Sequence, residues 1–144
     1  MIFVDTNYFL RFLLEKKDEQ QKQAIELFKK ASLGQIKLFT STIVIFEIYW
    51  VLSTFYEKNK KEVKEILIDI FKMDFVQIKE RSILLQAIDL LGEFNYDLED
   101  SYNIVFALDK KAEEFMTFDS TLERRFKERK RSQITSEARN NSSN

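Results

Sequence analysis

The 144-residue chain contains no histidine and no cysteine, so its chemistry must rest on carboxylates, lysines, hydroxyls or a hard metal ion. Thiolate chemistry, disulfides, the usual zinc sites and imidazole acid–base catalysis are excluded. Four acids stand out by their surroundings. Asp5 ends the apolar run of MIFVDTN, and Glu47 is the one charged residue between Lys37 and Glu57, inside IVIFEIYWVL. Asp100 lies in YDLEDSYN, just ahead of the apolar run 104–108, and Asp119 follows EFMTF. Each has an ordinary structural reading. Asp5 and Asp119 could cap the helices after them, Asp97 could cap the helix that Asp100 opens, and Glu47 could belong to a buried ion pair. Read together, they suggest something else. Two like charges about 4 Å apart repel by roughly 4 kcal/mol at an effective dielectric of 20, so a converging quartet needs a counter-ion. Mg²⁺ or Mn²⁺ prefers oxygen ligands, and an ion held this way activates water and offsets phosphate charge.

The elements that must position these acids follow from hydrophobic periodicity. IFV at 2–4, IKLF at 36–39, FVQI at 75–78 and EFMTF at 114–118 read as short strands, with QIT at 133–135 as a small fifth. Between them lie amphipathic stretches with apolar residues at helical spacing. DEQQKQAIELFKKASLG has Asp18 as cap and Gly34 as stop, and KKEVKEILIDIFKM and ERSILLQAIDLLGEF are further examples. The segment around Glu47 is apolar on nearly every side, which predicts a buried helix and a costly buried carboxylate. Short strands alternating with helices predict an α/β fold, a three-layer α/β/α sandwich around a parallel sheet of four to five short strands. In such sheets ligands gather at the carboxyl ends of the strands, where Asp5 and Asp119 would meet if their strands are neighbours. With no proline and two glycines there is no linker, so residues 1–135 read as one domain. The stretch 136–144 reads as a polar, disordered tail.

Composition narrows the class. A hydrophobic share of 44% with 14 phenylalanines supports a core of large rings, and no run of 18 apolar residues predicts a membrane span. A soluble, cytoplasmic protein is expected. The net charge of −1 argues against generic nucleic-acid binding, yet residues 93–119 carry a balance of −6 and residues 121–131 one of +4. The basic stretch, with Arg124, Arg125, Lys127, Arg129, Lys130 and Arg131, reads as a solvated helix face on these counts.

VDTN, the isolated glutamate of IVIFEIYWVL, LEDSYNIVFALDKKA and MTFDSTLERRF, in this order and spacing, resemble the PIN-domain nucleases. In length and element order the chain is similar to the small VapC-type toxins of toxin–antitoxin pairs, from Met1 to about Phe126. The resemblance implies a parallel α/β/α sandwich and cleavage of RNA with Mg²⁺ or Mn²⁺ to 5′-phosphate and 3′-hydroxyl ends. It also implies a cognate antitoxin as partner, with a homodimer as a further expectation, and would make Arg124, Arg125 and Lys127 a surface for RNA backbone. By position, Asp5, Glu47, Asp100 and Asp119 match the family's metal-binding, catalytic quartet, and Asn7 and Thr117 match supporting polar residues. Two departures matter. Ser101 follows Asp100 where alanine is usual, and Ser120 and Thr121 follow Asp119 where a second acid often stands, a place that Asp97 would fill instead. An RNA-processing nuclease without an antitoxin, or a non-catalytic module that kept the fold, are the alternatives these residues leave open.

Overall fold

The computed structural model describes residues 1–93 and 95–142. The order of elements is β1 (Ile2–Phe3), α1 (Thr6–Leu13), α2 (Glu19–Ser32), β2 (Leu38–Thr40), α3 (Thr42–Thr54), α4 (Lys60–Lys72), β3 (Val76–Ile78), α5 (Arg81–Leu90), α6 (Leu98–Asp109) and α7 (Ser120–Ser142). The strands form a parallel sheet in the order β1-β2-β3, with Ile2 opposite Leu38, Phe3 opposite Phe39 and Leu38 opposite Val76. Parallel neighbours require crossovers, and helix pairs provide them: α1 and α2 between β1 and β2, α3 and α4 between β2 and β3.

Local chemistry sets the helix boundaries. Asp18 caps α2 by accepting from the Gln21 amide at 2.8 Å, and Gly34, at φ +73°, turns the chain out of it in the left-handed region. Ser41 caps α3, and Asn59 and Glu62 form a reciprocal capping box at the start of α4. The Arg81 guanidinium clasps the carbonyls of Phe71, Met73 and Val76, which ties the end of α4 to β3 and α5. The core is built from fully buried Phe9, Phe28, Leu38, Ile45, Ile48, Leu52, Leu67, Ile70, Leu84, Ile88, Leu91 and Phe126. Among the described residues no helix is long and apolar enough to cross a membrane.

The sheet is smaller than the sequence predicts, with three strands rather than four or five among the described residues. Residues 114–118 run beside the core without strand pairing. Their surroundings explain it. Lys130 of α7 donates to the carbonyls of Ala112 and Glu113, and Thr117 Oγ1 accepts from the Asp119 amide at 3.1 Å. These bonds fix the chain on either side of the segment. Phe115 packs on Phe126 at 5.2 Å between ring centroids, while Met116 and Phe118 face outward. The expected fifth strand, 133–135, lies inside α7, where Ser132, Thr135 and Ser136 hydroxyls bond carbonyls one turn back. The same helix continues to Ser142 through the stretch expected to be disordered. Ser143 and Asn144 lie outside the described residues, as does Phe94, to which the periodicity extends α5.

Candidate active site

Asp5 occupies the cap position of α1 with extended backbone, yet its side chain caps nothing and stands exposed. The next residue, Thr6, is buried, and its Oγ1 donates to Glu47 Oε2 at 2.6 Å. This bond brings the middle of α3 to the carboxyl end of β1. Thr40 Oγ1 donates to the Val4 carbonyl at 2.8 Å and locks the ends of β1 and β2 together just beneath.

Glu47 itself is exposed, against the expectation of a buried carboxylate. One side of α3 buries Val44, Ile45, Ile48, Tyr49 and Leu52, but Ile43 and Trp50 are 75% and 60% exposed and flank Glu47 on the outer side. The apolar residues all round the helix thus mark two faces with different fates. One enters the core, and the other is an apolar surface stripe interrupted by a carboxylate.

A second group of acids gathers at the start of α6. Asp97 holds the cap position without making a cap bond; its Oδ1 accepts instead from the Tyr49 hydroxyl at 3.1 Å. Capping therefore does not account for Asp97. Burial pushes the Asp100 carboxyl above its ordinary pKa, the charges of Asp97 and then Asp119 push the same way, and Lys60 opposes them. Lys60 donates to the Tyr96 carbonyl at 2.7 Å and to Asn95 Oδ1 at 3.1 Å, so α4 pins the loop that carries Asp97. Burial, with the charge and hydrogen bond of Asp97, raises the Tyr49 hydroxyl to about 12, which keeps it a donor to that acid. Asp119 does cap its helix: Oδ1 accepts from the Thr121 and Leu122 amides at 2.9 and 3.1 Å. Immediately after Asp100, the Ser101 hydroxyl is fully buried without a hydrogen-bond partner among the described residues.

The structure thus brings the acids together in two sets. Thr6 links the Asp5 end of β1 to Glu47, and Asp97, Asp100 and Asp119 share one field. The contacts Tyr49–Asp97 and Phe46–Tyr102, the latter at 5.2 Å between ring centroids, join α3 to α6 between them. Among the described residues, no three acids stand close enough to hold one ion in common. The donor chemistry fits a hard divalent cation, since every candidate is an oxygen ligand. Asn7 lines a cleft between α1 and α2, and Thr117 serves the Asp119 turn. Tyr49 and Lys60 went unnoticed in the sequence. Tyr49 is one of many apolar neighbours of Glu47, and Lys60 is one of several lysines in KNKK.

The basic stretch is largely engaged within the fold. Arg125 pairs with Glu128 at 3.0 Å, Lys127 with Glu123, Arg129 with Glu93 at 2.6 Å, and Lys130 holds two carbonyls. Arg124 is exposed and enters no ion pair among the described residues.

No curated protein matches the chain. The family model described as "PIN domain" matches residues 2–127, which takes in both sets of acids and the first part of α7. Proteins of this family are typically nucleases and generally use divalent metal ions. An α/β chain with a parallel sheet, carrying acids at the carboxyl end of β1 and at the start of α6, agrees with that match, and the protein belongs to the PIN domain family.

Proposed function

We propose that the protein is a metal-dependent endoribonuclease hydrolysing RNA phosphodiester bonds, with Asp5, Glu47, Asp100 and Asp119 as ligands for Mg²⁺ or Mn²⁺. The observation that carries this reading is that Asp5 and Asp97 both occupy helix-cap positions and neither caps. A carboxylate at such a position ordinarily satisfies a free amide, worth about 1 kcal/mol. Here both side chains forgo that bond: Asp5 makes no side-chain hydrogen bond among the described residues, and Asp97 gives Oδ1 to Tyr49 and keeps Oδ2 for another use. When bound, the ion activates water and neutralises charge on the phosphate.

The remaining roles belong to the chain. Thr6 holds Glu47 by its hydroxyl and aims one carboxylate oxygen. Tyr49 does the same for Asp97, which stands beside Asp100 as a further oxygen donor. Asp100 sits in the first turn of α6, where the helix dipole favours its ionised form and partly offsets the crowding. Asp119 is steadied through Oδ1 by the α7 amides, leaving Oδ2 for a ligand.

The toxin of a toxin–antitoxin pair is the specific form we favour. The exposed apolar stripe of Ile43 and Trp50, with Phe55 at the end of α3, supports a protein partner, an antitoxin or a second copy. The large apolar residues of α4 offer no such surface, because Val63, Leu67, Ile70 and Phe71 are buried.

The test is RNA cleavage by wild type, Asp5→Asn and Asp100→Asn in Mn²⁺ and in EDTA, with circular dichroism as a check of fold. Wild type should cut in Mn²⁺ alone, and both variants should be folded and inactive. A variant that cuts at the wild-type rate would remove that acid from the ligand set.

A further inference from the structure

The geometry points to a subsite for a single RNA base in the cleft between α1 and α2, lined by Asn7, Tyr8, Arg11, Gln20 and Gln23, with a volume of about 390 Å³. This inference rests on the nuclease reading above and names part of its substrate recognition. The first lining residue, Asn7, lies in the first turn of α1, the helix whose cap position Asp5 holds, so that acid shares its helix end with one end of the cleft. Its size falls in the range of small-ligand sites, roughly 300–1,000 Å³.

The lining has the chemistry of base recognition. Asn7, Tyr8 and Arg11 follow helical spacing on α1, and Gln20 and Gln23 face them from α2. The three amides each offer a donor and an acceptor, the complement of a base edge. Their side chains, and that of Tyr8, make no hydrogen bonds among the described residues, so this capacity is unspent. The Tyr8 ring is 41% exposed, available for a base to stack upon.

The charge distribution separates a base from a phosphate. Arg11 is the one charged lining group, and its guanidinium is paired with Asp18 at 3.0 Å. Asp18 is itself fixed as the cap of α2, so the arginine plane is held in place and its charge is offset. Beneath the cleft, Phe28 of α2 packs against Phe9 and Phe12 of α1 at 5.4 and 4.6 Å between ring centroids. The two walls are therefore fixed before a ligand arrives, which lowers the cost of binding.

The experiment uses labelled single-stranded homopolymers of rA, rG, rC and rU with the full-length protein in EDTA, where no cleavage occurs. Wild type should prefer one base. Tyr8→Leu should weaken that complex about tenfold, in line with the usual worth of one stacked base, while Tyr8→Phe keeps the affinity. Gln23→Leu should flatten the preference among the four. Thermal melts confirm that these exposed substitutions leave the fold intact. Equal binding of all four homopolymers, no binding, or unchanged affinity in Tyr8→Leu overturns the subsite, and the nuclease reading then stands on its own cleavage test. Base preference in a protein that cuts nothing would have the reverse meaning. A peptide occupant would show as competition by protein segments without any base preference, and counts against the inference.

Discussion

The two sets of acids solve the same problem differently. On the β1–α3 side, a neutral hydroxyl holds the carboxylate: Thr6 donates to Glu47, and both oxygens of Asp5 stand in solvent. On the α6–α7 side, burial and then the charges of Asp97 and Asp119 shift Asp100 upward, and Ser101 has a buried hydroxyl without a partner among the described residues. The first side is satisfied as it stands. The second leaves Asp100 with two acidic neighbours and Ser101 with an orphaned hydroxyl. On the proposed reading of the acids as metal ligands, preorganisation and repulsion need not be spread evenly. One wall can be built to wait and the other to attract.

Substitutions at each wall should shift stability in opposite directions. The largest expected effect is at Ser101. Replacing it with alanine removes the orphaned hydroxyl and restores a strong helix former, so metal-free stability should rise by about 1–2 kcal/mol in urea melts. An unchanged or lower midpoint would show that the hydroxyl finds a partner in solution. Next comes Thr6→Val, which keeps shape and deletes the donor to Glu47. Stability should fall by about 1 kcal/mol, and cleavage should drop as Glu47 loses its aim. No loss of either would show that the first wall is not held by this bond. The smallest effect is at Asp100. Its proton is bound more tightly in the folded chain, so its contribution to stability is full below the ordinary carboxylate pKa and is lost as pH rises through the raised one. Metal-free Asp100→Asn should therefore match wild type in acid and exceed it at neutral pH. The gain should be no more than about 1 kcal/mol, since the group is partly solvated. Paired melts in acidic and neutral buffer check the sign, and a gain of equal size in both would assign it to packing rather than charge.

Much of the frame was legible because it rests on local signals. Val4, Leu38 and Val76 sit in short apolar runs that must be buried, and Asp18 and Gly34 are the ordinary start and stop of a helix. The acids were legible as candidates for a related reason: Asp5 and Asp119 end apolar runs, Glu47 interrupts one, and Asp100 stands just ahead of one. What failed were inferences that depend on tertiary competition. Residues 114–118 have the composition of a strand, but whether they pair depends on where α7 puts Lys130 and Phe126, more than ten residues on. Glu47 was expected to be buried because its neighbours are apolar on all sides, and hydropathy cannot tell a core face from an exposed apolar stripe. Tyr49 and Lys60 escaped because their importance lies in what they reach, and sequence spacing carries no trace of it.

The ion pairs along α7 bear on how this protein would hold a polyanion. Affinity for single-stranded nucleic acid normally falls with salt, by roughly 0.7 log units per tenfold salt for each phosphate neutralised, because condensed counterions are released. Lys127 and Arg129 already have carboxylate counterparts within the fold, and Lys130 is occupied by backbone carbonyls. Using those side chains on a strand means displacing these partners, so within the basic stretch Arg124 and Arg131 are the exposed cations outside the ion pairs among the described residues. Association would then depend on geometry at the acids and on base contacts more than on the long-range field, and a weakly salt-sensitive grip is what such a surface delivers.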